Sequence, residues 1–166
     1  MVSVDAFDKV ERVLKSSNYS DVLLILLSDK GGRIVPPYSS DLNHAWYLVG
    51  SVFYKQENYE EALLAFKKSY RHWKEDVAAI RAIGNCYSEL ENPKMAKYYF
   101  IKAKAIGGNK YKDLDILIYN LGNAYFDMGK YDLAIAEYKN VRKSDKKTFQ
   151  FAQKNIERAK KHLNNK

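Results

Sequence analysis

The histidines and the single cysteine are the residues of this chain with the clearest capacity for chemistry. His44, His72 and His162 are scattered over 166 residues, with no paired ligand spacing and no cysteine pair that would mark a metal site. The chain also lacks a glycine-rich loop followed by lysine and serine or threonine, and it lacks a serine-nucleophile motif. The sequence therefore predicts a protein that is not an enzyme, with no catalytic residue, cofactor or metal.

Cys86 is the only cysteine, so an internal disulfide framework is excluded. It stands where Ala124 stands in a later, similar segment, which favours a buried structural thiol over a nucleophile. A lone cysteine fits a reducing compartment. The longest apolar run, residues 22–27, is far shorter than the roughly 20 residues of a membrane span, and no signal peptide is visible. These features predict a cytoplasmic protein.

The net charge of +8 is concentrated at the C-terminal end. Residues 138–166 carry 10 basic and 2 acidic side chains, whereas residues 1–137 are nearly balanced. An excess of this kind is typical of a solvated helix face. It also suits a surface that binds an acidic partner or an anionic one.

The segment between Tyr119 and Tyr138 predicts two amphipathic helices with a break at Gly129-Lys130. The small residues Gly122 and Ala134 would let the two backbones approach closely, with tyrosine side chains filling the space around the contact. A hairpin this short cannot bury its apolar face alone, so similar hairpins should pack beside it.

Two markers recur with one spacing of 34 and then 38 residues: Gly50, Gly84 and Gly122, and likewise Ala62, Ala96 and Ala134. Together with Trp46, Phe53 and Phe66 they follow a Trp–Leu-Gly–Tyr–Ala–Phe–Ala signature, which resembles the tetratricopeptide repeat family of helix–turn–helix units. Isoleucine replaces the tryptophan in the later units, and the proline that usually ends a unit is absent. The resemblance implies an all-α fold, a right-handed α-solenoid of such repeats with a C-terminal capping helix.

The repeats predict five segments of one domain. These are a degenerate N-terminal hairpin with its loop (1–42), a repeat (43–76), a repeat with a short insertion (77–114), a repeat (115–147), and a capping helix with a basic tail (148–166).

The first segment is the least regular. Residues 3–17 should be helical, and residues 22–27 either helix or strand, because a short apolar run is ambiguous. Their match to the helix of the first full repeat favours helix. Gly31-Gly32 should end this helix, and Pro36-Pro37 should keep the following loop extended.

The resemblance also implies a binding surface, because the first helix of each unit in this family lines a concave groove. The residues at groove positions are His44, Tyr47, Ser51 and Tyr54 in the first unit, Arg81, Asn85 and Ser88 in the second, and Tyr119, Asn123 and Phe126 in the third. None of them should be needed for packing inside a repeat. The alternative is that the aromatic residues pack against the next unit or the N-terminal helices.

The chemistry of these residues suits a peptide. Asparagine amides offer donors and an acceptor to a peptide backbone, and the aromatic rings offer rigid apolar area. Arg81 can pair with a carboxylate through two hydrogen bonds. Some members of the family clamp the tail of a chaperone, and Arg81, Asn85 and Asn120 match part of that clamp. The helix after Thr148 offers no clear cationic pair, so binding of such a tail is not predicted.

The basic C-terminal helix is the second candidate surface. Its apolar stripe resembles that of a capping helix, and its outer face would hold Lys154, Arg158, Lys160 and Lys161. The sequence thus predicts a scaffold or adaptor that binds a protein or peptide partner in its groove. The alternatives are a basic face that binds nucleic acid, an acidic protein or an anionic membrane, and self-association through the end helices.

Overall fold

A computed structural model describes residues 4–16, 18–28 and 32–165. These residues fall into two compact units, Met1–Ala79 and Ile80–Lys166. The helices are α1 (Val4–Lys15), α2 (Tyr19–Leu26), α3 (Leu42–Lys55), α4 (Tyr59–His72), α5 (Val77–Glu89), α6 (Pro93–Gly107), α7 (Leu114–Asp127), α8 (Tyr131–Lys139) and α9 (Lys146–Asn164). Short 3-10 segments lie at Tyr38–Ser40 and Gly108–Lys110. Over the described ranges, none of the helices has the length and apolarity to cross a membrane.

The N-terminal hairpin is helical, as the sequence favours, but α2 ends earlier than predicted. The helix stops at Leu26, not at Gly31-Gly32, because Leu27 adopts an extended conformation. Leu27 forms an isolated antiparallel bridge with Ile34, and the Val35 amide donates to the Leu26 carbonyl at 3.0 Å. The backbone groups that a longer helix would pair are therefore satisfied across this bridge.

The prediction of an extended stretch at Pro36-Pro37 is wrong. Pro37 has helical dihedral angles and leads into the 3-10 segment. This turn buries Tyr38, whose ring meets the ring of Phe7 edge-on at 5.3 Å between centroids. Burial of a large aromatic ring explains why the chain turns back here instead of running straight.

Each of the three full repeats, α3–α4, α5–α6 and α7–α8, is closed by a glycine that faces a ring. A Cβ atom added at Gly50 would lie 2.6 Å from the ring of Phe66, and one added at Gly122 would lie 2.5 Å from the ring of Tyr138. Gly84 faces Phe100 at the same 2.5 Å. The predicted close approach of paired helices is confirmed, and it explains the spacing of the glycines.

Two helices of the compact unit Ile80–Lys166, α6 and α9, start at a side-chain cap. The Asn92 side chain accepts from the Met95 amide at 3.2 Å, Pro93 opens α6, and Gly108 follows the helix with a positive φ of 55°. Asp145 caps α9 by accepting from both the amide and the hydroxyl of Thr148. These caps set where α6 and α9 start.

Cys86 is completely buried in α5. Burial, with a smaller effect of the nearby Glu89 carboxylate, raises the pKa of the thiol to about 12. A thiol that stays protonated and inaccessible is a packing group, so the predicted structural role is confirmed.

Candidate functional site

The groove positions of the first repeat already have partners inside their own unit. The imidazole of His44 lies 3.3 Å from the Glu11 carboxylate and meets the Phe7 ring edge-on at 4.6 Å. Helix α1 therefore contacts this end of α3, as the alternative interpretation of the groove positions expects. The Ser51 hydroxyl donates to the Tyr47 carbonyl at 2.9 Å.

The two groove tyrosines of α3 lie against rings of α4. The ring centroids of Tyr47 and Phe66 are 5.4 Å apart, and those of Tyr54 and Tyr59, which meet edge-on, are 5.3 Å apart. Both tyrosines are half-buried. They combine packing within the hairpin with a partly exposed surface, so they lie at a boundary between core and groove.

Arg81 forms hydrogen bonds within the compact unit Ile80–Lys166. Its Nε donates to the Tyr111 hydroxyl and its Nη2 to the Asp113 carboxylate, both at 3.1 Å. The pair is partly buried, with side chains 18% and 29% exposed. The carboxylate partner expected from a ligand is thus supplied by the chain itself, and Arg81 helps to join α5 to the start of α7.

Asn85 and Asn120 form a direct amide pair between α5 and α7. The Asn120 Nδ2 group donates to Oδ1 of Asn85 at 2.9 Å. Both side chains are half-buried. This pairing sets the amide of Asn85, a groove position of α5, beside the amide of Asn120 on α7.

The third repeat is covered by α9 through a polar network. Asn155 donates from Nδ2 to the Tyr119 hydroxyl and to Oδ1 of Asn123, both at 3.1 Å. The Tyr138 hydroxyl also donates to Oδ1 of Asn123 at 2.7 Å. Tyr138 is fully buried, and this burial raises its pKa far above the usual value. Asn123 is therefore part of the packing within a repeat, contrary to the expectation that no groove residue would be.

Phe126 lies under cationic and aromatic groups of the same unit. The Arg158 guanidinium lies 5.1 Å from its ring centroid, and His162 and Tyr131 meet it edge-on at 5.5 and 5.2 Å. Arg158 also donates to Oδ1 of Asn155 at 3.1 Å. Arg158, predicted on the outer face of α9, is exposed and also contacts Phe126 of α7.

The four basic residues predicted on α9, Lys154, Arg158, Lys160 and Lys161, are all exposed. Lys160 pairs with Glu157 at 2.8 Å on the same helix. An exposed pair of this kind contributes little to stability. The face is open to solvent, with one of its cations turned towards the groove.

Substituting Asn155 by alanine tests the network. The change removes one hydrogen-bond partner from the buried Tyr138 and one from the half-buried Asn123, so we expect a loss of about 1–2 kcal/mol in the free energy of unfolding. Urea unfolding followed by circular dichroism measures it. Gln153→Ala, at an exposed position of α9, is the matched control and should change the free energy by less than about 0.5 kcal/mol.

Sequence reasoning missed Asn155 and the pairing of Asn85 with Asn120. Both asparagines that donate in these contacts lie in helix interiors, where asparagine is an unfavourable choice. That unfavourable placement was the available signal. Within the described ranges, no group of three or more histidine, cysteine, aspartate or glutamate residues is arranged to hold a metal.

Comparison with known proteins agrees with this architecture. Family models of the tetratricopeptide repeat match residues 41–84 and residues 117–148. No curated protein matches the chain in sequence.

Similar solved structures extend the likeness over nearly the whole chain. A crystal structure of MamA has a TM-score of 0.75 at 19% identity, covering 96% of this chain and 81% of that one. A structure of YrrB, described as a TPR protein with an unusual peptide-binding site, has a TM-score of 0.68 at 21% identity, covering 98% of this chain and 83% of that one. At these identities the likeness shows the fold.

Proposed function

Because this chain belongs to the tetratricopeptide repeat family, we propose that it is a non-catalytic scaffold or adaptor whose groove holds an extended peptide segment of a partner protein. The peptide-binding site described for the similar protein YrrB supports this proposal. The residues that would contact the peptide lie in the compact unit Ile80–Lys166, on helices α5, α7 and α9. Tyr47, Ser51 and Tyr54 lie in the other compact unit, Met1–Ala79, and remain predicted binding residues that are no part of this site.

The observation that carries the proposal is the Asn85–Asn120 pair. One donor and one acceptor are used between the two side chains. The Asn85 amide NH₂ group and the Asn120 carbonyl oxygen have no further hydrogen-bond partner among the described residues, and neither is a buried unsatisfied atom. A donor and an acceptor held side by side match the carbonyl and N–H groups of an extended peptide backbone.

One exposed apolar side chain lies a helical turn from Asn120, and another lies beside the groove residue Tyr119. Ile116, one turn before Asn120 on α7, is 37% exposed, and Phe151 of α9 is 48% exposed. The Phe151 ring lies 6.3 Å from that of Tyr119. Partly exposed rings and aliphatic groups next to a polar pair are the usual composition of a peptide site, because they bury side chains while the pair orients the backbone.

Removing the pair should weaken peptide binding without unfolding the protein. Peptides selected from a phage-displayed random library on the wild-type chain provide the probe, and isothermal calorimetry measures their affinity. We expect Asn85→Ala/Asn120→Ala to bind them at least about tenfold more weakly, since both backbone hydrogen bonds are lost. The control Asn109→Ala/Asn140→Ala changes two exposed asparagines elsewhere in the same unit and should bind as the wild type does.

Two results would remove the proposal. One is that the library yields no peptide that binds the folded chain. The other is that the selected peptides bind the Asn85→Ala/Asn120→Ala variant as tightly as the wild type.

The basic face of α9 is a second candidate site, for nucleic acid, an acidic protein or an anionic membrane. Its support is the exposure of all four cations on a segment with 10 basic and 2 acidic residues. If four phosphates are contacted, affinity for single-stranded RNA should fall about 50-fold between about 50 and 200 mM salt. Fluorescence anisotropy measures this, with Lys154→Glu/Lys161→Glu as the test variant and Lys94→Glu/Lys112→Glu as the control. Equal RNA binding by both variants would argue against this face.

A further inference from the structure

An apolar pocket of about 220 Å³ opens in the first unit, away from the groove positions of α3. Its lining includes Leu27, at the end of α2, Trp46 and Phe53 of α3, and Leu64 of α4. The volume is below the roughly 300–1,000 Å³ of sites for drug-sized ligands. It suits one bulky apolar side chain.

The pocket exists because α2 is short. Helices α2 and α4 begin at equivalent tyrosines, Tyr19 and Tyr59, but α2 has 8 residues and α4 has 14. The bridge between Leu27 and Ile34 replaces the turns that would continue α2. The pocket therefore lies beside the point where a full-length helix would continue.

Trp46, the tryptophan of the repeat signature, is more exposed than the residues at the same position of the other repeats. Trp46 is only partly buried, whereas the residues at the same position of the other repeats, Ile80 and Ile118, are 0% and 5% exposed. Leu64 is 62% exposed at the mouth of the pocket. An apolar surface left open at a position that is buried elsewhere in the same chain marks an interaction site.

Two charged side chains at the mouth of the pocket indicate which kind of peptide segment would bind there. Glu61 and Lys68 lie three residues before and four residues after Leu64 on α4, and both are exposed. The Lys68 ammonium is 3.9 Å from the Trp46 ring centroid, so it stands at the pocket edge. A complementary segment carries a bulky apolar residue with a basic residue on its N-terminal side and an acidic residue on its C-terminal side.

We propose that this pocket docks an amphipathic helix of a partner protein, which continues the direction of α2 and inserts one bulky apolar side chain beside Trp46. The helix spacing Lys-x-x-Leu-x-x-x-Glu places its charges opposite Glu61 and Lys68. This site is independent of the peptide groove, so either can be absent without the other.

Two dye-labelled helical peptides of the same composition test the proposal by fluorescence anisotropy at low salt. One carries Lys-x-x-Leu-x-x-x-Glu and the other has the two charges exchanged. We expect the wild-type chain to bind the first about fivefold more tightly, because each exposed pair contributes modestly. The variant Glu61→Lys/Lys68→Glu should prefer the second peptide, an inversion that damage to the fold cannot produce.

The leucine provides the matched control. Leu64→Asp should weaken binding of the first peptide at least about tenfold, since the apolar contact is lost. Leu133→Asp changes another exposed leucine and should leave the affinity unchanged. No binding of either peptide, or equal affinity for both, would overturn the proposal. So would a light-scattering mass that rises with concentration and falls back in Leu64→Asp, because a second copy would then fill the pocket.

Discussion

Replacing Gly122 by valine is expected to lower the free energy of unfolding by about 3 kcal/mol, at the upper end of the usual cost of overpacking. A Cβ atom at this position would lie 2.5 Å from the ring of Tyr138, and Tyr138 is fully buried. The ring cannot move aside, because its hydroxyl is held by Asn123 at 2.7 Å. Helices α7 and α8 would have to separate instead, at the contact that closes the third repeat.

Thermal unfolding followed by circular dichroism measures this effect. For a chain of this length we expect the midpoint to fall by about 6–12 °C. Ala136→Val, at an exposed position of α8, introduces the same side chain without a clash and should cost only a few tenths of a kcal/mol. A second change, Tyr138→Leu, should restore part of the stability of Gly122→Val, because it removes the ring that the new side chain would meet. A midpoint for Gly122→Val within about 2 °C of the wild type would contradict the packing described for this hairpin.

Replacing Asp115 by alanine is expected to lower the free energy of unfolding by about 2–3 kcal/mol, the range for hydrogen bonds that involve charged groups. Asp115 is 5% exposed and accepts from the Arg142 amide at 2.8 Å, from Nε at 2.9 Å and from Nη2 at 2.6 Å. These bonds tie the first turn of α7 to the chain that follows α8. Urea unfolding measures the loss, and Asp132→Ala, at an exposed position in the first turn of α8, is the control.

The same carboxylate predicts a dependence of stability on pH. Burial by itself raises the pKa of Asp115, but the hydrogen bonds and charge of Arg142 outweigh burial and lower it. The unfolded chain therefore takes up this proton first, near the usual pKa of about 3.9. The stabilisation is fully present above that value and is lost as the pH falls through the lower folded pKa. The stability difference between wild type and Asp115→Asn should thus shrink below about pH 4. An unchanged difference at pH 3 would contradict this assignment.

Periodicity made the hairpins predictable. Glycine and alanine markers at one spacing report a contact that each repeat must make, and the structure shows that contact at Gly50, Gly84 and Gly122. The early end of α2 could not be predicted in the same way. It depends on Leu27 pairing with Ile34, a contact between residues that no repeat pattern relates.

The groove positions were predictable only in part. The repeat pattern places Asn85, Asn123 and Phe126 on the first helices of their units, but it does not show which side chains find partners inside the chain. Asn123 is occupied by Tyr138 and Asn155, whereas Asn85 keeps its amide NH₂ group open among the described residues. One of these partners, Asn155, comes from α9, whose register against α7 is set by packing and has no signature of its own.

The most direct measurement of peptide binding in the groove observes the side-chain amides themselves. In a ¹⁵N–¹H correlation spectrum, the NH₂ resonances of Asn85 and Asn120 can be assigned by their loss in the single alanine variants. Titration with a selected peptide should shift these two pairs of signals, while those of Asn109 and Asn140 stay in place. If the peptide binds and the Asn85 and Asn120 signals do not move, the partner binds elsewhere and the groove assignment is wrong.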